Sequence, residues 1–283
     1  MRLKFILKRE TKEKMETNKT LLLAKNISEV LYQVKNTPGL EIVGGCTQIS
    51  QLPEKSLCTR NIAEMKNINR HELFIDFGPA TTLNEILDLG EERIPKILYK
   101  AILNTANHFV RNMATLGGNI CAKEIHGTLY APLLALNATL RFRNAETQSF
   151  YTMPFAKFTG VPQNNVIVNI RVPNEDWDVS IFRRCGPRHM LEKDSASFCF
   201  LAKTEKSALI NVRIVFAGAF VFSSRELENK LLGLRLPISE KAITDFSRTA
   251  ERAFDEAVGE EKINPVFKRQ FLNLTQYSLN QLV

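Results

Sequence analysis

Two short glycine-centred stretches hold the residue types that could do chemistry. One is Val43-Gly44-Gly45-Cys46-Thr47-Gln48-Ile49; the other is Arg111-Asn112-Met113-Ala114-Thr115-Leu116-Gly117-Gly118-Asn119-Ile120. Glycine pairs flanked by β-branched residues let a backbone take positive φ and bring peptide N–H groups against an anion with no Cβ in the way. The second stretch adds a hydroxyl, an amide and a guanidinium within a few residues. Two such turns together would clamp a diphosphate. Neither Gly-x-Gly-x-x-Gly nor Gly-x-x-x-x-Gly-Lys-Ser/Thr occurs, so the phosphate site is neither a Rossmann turn nor a P-loop.

The other candidates are plain by comparison. His71, His108, His126 and His189 show no metal-ligand spacing, and no metal is expected. The five cysteines (Cys46, Cys58, Cys121, Cys185, Cys199) include no Cys-x-x-Cys pair, which fits reduced thiols rather than a disulfide framework. That spacing also lacks what an iron–sulfur cluster asks for, so a cluster exchanging electrons with this chain belongs to a partner. Cys46 reads as a small residue beside a phosphate, and Trp177 as a packing residue in a polar stretch between domains.

Several elements must position the two turns. Leu21 to Ala24 reads as a strand, Ile27 to Val34 as a helix capped near Asn26 or Ser28, and Leu40 to Val43 as a strand ending in the first glycine pair. Such a strand–helix–strand unit forms a small parallel sheet with ligands at the carboxyl ends of its strands. Leu73 to Phe77 alternates as a strand, Thr81 to Leu87 opens a helix, and a longer helix from Lys96 to Phe109 delivers the chain to the second turn. An apolar helix over 131–138, a strand over 139–143 and a strand from Asn165 to Pro173 follow. The polar break Asn174-Glu175-Asp176 marks a domain boundary. Beyond it, strands over 197–201 and 212–222 and helices over 226–232 and 240–258 describe a smaller α+β domain.

Composition bounds the class. The chain has 283 residues, 44% of them hydrophobic and 24% charged, enough for two domains with a real core. No apolar run reaches the roughly 18 residues a membrane helix needs, so no membrane contact and a cytoplasmic location are expected. The net charge of +8 is uneven: the first twenty residues hold seven basic and three acidic side chains, and the rest is dispersed. Without a basic run elsewhere, no nucleic-acid partner is expected. Residues 1–19 read as a basic N-terminal extension.

Taken in order, Val43-Gly44-Gly45-x-Thr47, Phe77-Gly78-Pro79-Ala80-Thr81-Thr82-Leu83, the Arg111 to Ile120 stretch and Leu133-Leu134-Ala135-Leu136-x-Ala138 resemble the FAD-binding (medium) subunit of molybdenum hydroxylases. That family includes the flavoprotein parts of xanthine dehydrogenase and carbon monoxide dehydrogenase. Gly218, Arg225, Glu228 and Leu231-Leu232-Gly233 resemble its C-terminal flavoprotein domain, and Phe267-Lys268-Arg269 its closing helix. The resemblance implies an α+β architecture: an FAD-binding domain of the vanillyl-alcohol-oxidase/PCMH-like type with two α+β subdomains over 20–175, and a smaller C-terminal domain over 176–283. It implies FAD as cofactor, with Val43, Gly44, Gly45, Cys46, Thr47, Gln48 and Ile49 around the pyrophosphate. Ala114, Thr115, Gly117, Gly118, Asn119 and Ile120 would meet it again, Thr115 as a hydroxyl donor. Thr105, Ile167 and Arg183 match positions that contact adenine or flavin, and Asp194-Ser195-Ala196 resembles a stretch near the same site. The partners implied are a molybdopterin-binding large subunit and a [2Fe–2S] small subunit, with NAD as a possible acceptor. No catalytic residue is implied.

One position departs from the family pattern. Thr128 stands where the family places an aspartate that holds the FAD, and a hydroxyl replaces a carboxylate only in part, which would cost about 1–3 kcal/mol of affinity unless Glu124 or His126 compensates. Two other readings follow: a docking subunit that has lost FAD, and a stand-alone flavin oxidoreductase.

Overall fold

The computed structural model describes residues 19–187, 190–259 and 265–282. The basic arm up to residue 18 and His189 lie outside the described residues. The chain opens with β1 (Thr20–Leu23), α1 (Ile27–Asn36), β2 (Glu41–Val43) and β3 (Lys55–Cys58). Asn26 is the cap of α1, its side chain accepting from the Glu29 N–H at 2.9 Å. The expected strand–helix–strand unit is present, but β1 and β2 are not neighbours. The middle strand is β3, parallel to both, with Leu57 between Leu22 and Ile42. A polar start, Lys55-Ser56, hides this strand in the sequence, although Ser56 and Leu57 are both buried.

A five-stranded antiparallel sheet follows, built from β4 (Ile68–Arg70), β5 (Phe74–Phe77), β6 (Thr139–Asn144), β7 (Phe150–Pro154) and β8 (Asn165–Pro173) in the order β4-β5-β8-β6-β7. Between β5 and β6 run α2 (Leu83–Leu87), α3 (Lys96–Leu103), α4 (His108–Arg111), α5 (Leu116–Ile120) and α6 (Tyr130–Ala135). Where one helix from Lys96 to Phe109 is expected, the chain makes two. Ala106 takes φ 45°, which ends the first helix, and the Asn107 side chain restarts the second by accepting from the Val110 N–H at 2.9 Å.

The C-terminal sheet comprises β9 (Val179–Cys185), β10 (Ala196–Glu205), β11 (Ala208–Ala217) and β12 (Val221–Ser223), antiparallel in the order β12-β11-β10-β9. The expected strand over 212–222 is two strands. At Gly218 the N–H bonds the Phe220 carbonyl at 2.9 Å, and an added Cβ would lie 2.4 Å from the Ser195 carbonyl oxygen. The helices α7 (Arg225–Asn229), α8 (Glu240–Val258) and α9 (Pro265–Leu279) complete the chain.

This sheet is buried on both faces, and the alternation along β10 shows how. Phe198, Phe200 and Ala202 join the cluster that holds Phe246, Phe254, Phe267 and Phe271 of α8 and α9. Cys199 and Leu201 join the central core with Ile97, Ala101, Ala131 and Leu133 of α3 and α6. One sheet therefore welds its own helices to the middle of the molecule. At its edge the buried Glu228 carboxylate accepts from the Ile214 N–H at 2.8 Å and from Arg225 at 2.9 Å. Arg225 in turn reaches the Asn137 side chain just past α6.

Two outcomes are expected of this core. The Phe271 ring is fully buried and stacks on Phe254 at 4.8 Å, so Phe271→Ala is expected to cost about 3–5 kcal/mol in urea unfolding, while the exposed Asn273→Ala stays within about 0.5 kcal/mol. Burial pushes the Glu228 carboxyl above its ordinary value, outweighing the Ile214 N–H, Arg225 and Arg213. The folded chain then holds this proton more tightly than the unfolded chain. Its contribution to stability is full below the ordinary carboxylate range and is lost as pH rises through the elevated value. Glu228→Gln is expected to flatten that part of the stability–pH curve.

Candidate functional site

The second glycine stretch is tied down before its glycines begin. Arg111 donates through Nη1 to the carbonyls of Thr105 and Ala106, both at 3.0 Å, and through Nε to the Asn84 side chain at 3.2 Å. Asn84, itself buried, donates to the His108 carbonyl at 3.0 Å and to the Asn112 side chain. The Arg-Asn pair thus closes the carbonyl end of α3 and fastens the turn to α2. Further along, Leu83 N–H donates to Ala114 O at 3.0 Å, Leu116 N–H to Thr81 O at 2.9 Å and Gly117 N–H to Pro79 O at 2.8 Å. Thr115 caps α5, its Oγ1 accepting from the Gly118 N–H at 3.1 Å. The amides of Leu116 to Asn119 are therefore bonded within the protein. The expected second row of amides on a diphosphate is reduced to the Thr115 N–H and hydroxyl, because the Pro79 and Thr81 carbonyls take two of the others and the capped start of α5 takes the rest.

The first stretch lies directly on the second. A Cβ added at Gly45 would stand 1.6 Å from the Met113 carbonyl oxygen, and one at Gly44 would stand 2.5 Å from Thr115 Oγ1. The positive φ expected at these glycines is not found. Gly44, Gly45, Gly117 and Gly118 are all absent from the left-handed region, and Cys46 occupies it with φ 55°. Glycine is needed here for close approach of two backbones and not for its dihedral freedom. With Met113 and Thr115 as a floor, the N–H groups of Gly44, Gly45, Cys46, Thr47 and Gln48 have no acceptor among the described residues. Residues 46–49 are exposed. Adjacent unsatisfied amides are the donors by which a turn can bind an anion, and this donor set fits a diphosphate. The Cys46 thiol is pushed up by burial and then by its neighbour Cys58, which makes it a poor nucleophile.

The remaining expected residues divide. Asn119 is buried and accepts from the Leu129 N–H at 3.0 Å, holding the loop that leads to α6. Ile120 is buried at the end of α5. Thr128, on that loop, is buried and accepts from Arg184 Nη1 at 2.5 Å. Thr105 is committed to the Ala101 carbonyl at 2.9 Å, and Ile167 packs in the central core. Arg183 is not brought to the turns: it reaches Tyr277 on α9, with its guanidinium 5.6 Å from the ring centroid. Successive residues of a strand face opposite ways, so it is Arg184 that points to the glycine turns' side of β9. Glu124 is exposed, while His126 bonds the Gly218 carbonyl through its N–H at 3.0 Å. Sequence reasoning missed Asn84 and Arg184, since a single Asn or Arg inside a regular element gives no local signal. Among the described residues no group of three metal-ligating side chains occurs, and no helix is long and apolar enough to cross a membrane.

Residues 14–175 match the family described as the FAD binding domain in molybdopterin dehydrogenase, more than half of the chain, and the chain belongs to that family. The nicotinate dehydrogenase FAD-subunit of Eubacterium barkeri is 21% identical over 283 residues, covering 90% of this chain and 94% of that one. The glyceraldehyde dehydrogenase medium chain of Sulfolobus acidocaldarius is 22% identical over 211 residues, 69% of this chain and 74% of that one. A solved carbon monoxide dehydrogenase from Hydrogenophaga pseudoflava, lacking the Mo-pyranopterin moiety, superposes with a TM-score of 0.78 at 16% identity, over 93% of this chain and 96% of the matched chain. Family and fold agree with the sequence reading. The cofactor is FAD and the chain is an oxidoreductase subunit.

The contact between the turns is open to a direct check. Gly45→Ala is expected to destabilise the chain by at least about 3 kcal/mol, in the range of the severest single substitutions, and to lower the flavin bound per chain. Gly39→Ala, which meets nothing within 4 Å but sits at φ 74°, is expected to cost about 1–2 kcal/mol and leave flavin content unchanged. Thermal melts and flavin absorbance per chain read both.

Proposed function

We propose that this chain carries FAD as the electron-transfer subunit of a molybdopterin-dependent dehydrogenase complex. Electrons pass from iron–sulfur clusters of a small partner subunit, through FAD, to NAD or another acceptor, while hydroxylation takes place in a large molybdopterin-binding subunit. The observation that carries the reading is the row of unsatisfied amides from Gly44 to Gln48, backed by Met113 and Thr115. The two relatives named above as an FAD-subunit and a medium chain of dehydrogenases support the assembly.

In this reading each part of the site has one task. The five amides bind the diphosphate, and the floor under them fixes their direction before the ligand arrives, so little ordering cost falls on binding. Thr115 Oγ1 spends a lone pair on Gly118 and keeps its hydrogen to donate toward the same anion. Cys46, Thr47, Gln48 and Ile49 form the exposed rim beyond the buried Val43, and Asn119 holds the adjoining loop. When bound, a flavin supplies the redox chemistry, since its ring system exchanges electrons singly or in pairs. The chain binds and orients and requires no acid–base pair of its own.

The purified chain is expected to release FAD at close to one per chain. In the assembled complex, anaerobic addition of the reducing substrate is expected to bleach the visible flavin absorbance, and NAD to restore it. A chain that carries no flavin after FAD is added back would contradict the assignment and favour a docking subunit. Bleaching that NAD does not reverse would remove NAD as the acceptor.

A further inference from the structure

The loop over residues 121–129 joins the second glycine turn to α6, and three residues from three elements hold it. Asn119 accepts from the Leu129 N–H at 3.0 Å. The His126 N–H donates to the Gly218 carbonyl at 3.0 Å, and the His126 ring Nδ1 lies 2.9 Å from the same oxygen. Arg184 Nη1 donates to Thr128 Oγ1 at 2.5 Å. The last two anchors come from the C-terminal sheet and not from the domain that carries the turns.

Arg184 is itself fixed. Its Nε donates to the Pro187 carbonyl at 3.1 Å and its Nη2 to the Met190 carbonyl at 2.7 Å, so the fork of the guanidinium is aimed before it meets Thr128. Thr128 is only 3% exposed. A buried hydroxyl that accepts a charge-assisted bond is held far better than an unpartnered one, and the loop inherits that restraint. The threonine alone therefore understates how firmly this part of the site is set.

We propose that Arg184 is a positioning residue for the flavin site. Acting through Thr128, it fixes the 121–129 loop against the second glycine turn, so that the C-terminal sheet helps set FAD affinity. The inference rests on the assignment of FAD to the two turns.

The test uses the full-length apo-chain titrated with FAD by fluorescence quenching. Arg184→Gln and Thr128→Val are each expected to weaken FAD binding about tenfold, the size of one charge-assisted hydrogen bond. If the two act as one unit, the double variant is no weaker than the poorer single one. Thr128→Ser keeps the hydroxyl and is expected to bind as the parent chain does, and Arg184→Gln is expected to change the visible circular dichroism of bound flavin. Unchanged affinity in Arg184→Gln, or losses that multiply in the double variant, would overturn the proposal. Should Arg184→Gln fail to fold, parent-like affinity in Thr128→Val overturns it instead. Hydrogen exchange of residues 121–129 in the apo-chain, expected to quicken in Thr128→Val, reports the restraint without FAD. A parent chain that binds no FAD while that exchange difference persists would defeat the flavin assignment and leave the restraint standing.

Discussion

The Met113 carbonyl occupies the place where a side chain at position 45 would begin, and the rest of the site depends on that contact. Because the two turns touch through backbone, neither can shift without the other. Everything that fixes Met113 therefore fixes the amides of the first turn as well: Arg111 on the end of α3, Asn84 beneath it, and the bonds to Pro79 and Thr81. In the proposed reading these amides form a phosphate site, built by pre-orienting dipoles. The protein supplies that orientation during folding, when hydrophobic burial can offset the cost.

The same economy appears one layer further out. The C-terminal sheet has Phe198 and Phe200 on one face and Cys199 and Leu201 on the other, so the domain that could have hung loosely is part of the central core. That placement puts β9 beside the loop after the second turn and lets Gly218 and Arg184 act on it. The buried Glu228 carboxylate pairs with Arg225, and Arg225 reaches the exposed Asn137, so polar contacts fix the alignment across the same seam. Their value lies in specifying one arrangement, because burying the charges costs much of what the pairing returns.

What could be read from the sequence, and what could not, follows from how local each signal is. The strand Asn165–Pro173 and the helix Glu240–Val258 were legible because Pro173 with the polar break after it, and a sustained amphipathic period, are signals carried by the local sequence. The two glycine turns were legible as distinctive segments, but the reason for the glycines was not: the Met113 carbonyl that excludes a side chain at position 45 lies far along the chain. β3 and β9 were hidden for a related cause, their polar residues being set by neighbours that composition does not reveal. Arg183 and Arg184 differ by one position in the sequence and by a whole face in the sheet. Choosing between them requires knowing that Phe182 belongs to the central core and Cys185 to the outer one.

In the proposed reading the chain recognises a diphosphate through backbone amides of the first turn. The decisive experiment is calorimetric titration of the apo-chain with FAD, and separately with riboflavin, which has the same ring system but no phosphate. Riboflavin is expected to bind at least about a hundredfold more weakly than FAD, since several charge-assisted amide bonds are lost. Equal affinity for the two would mean that the ring alone is recognised and that the glycine turns serve only to pack the fold.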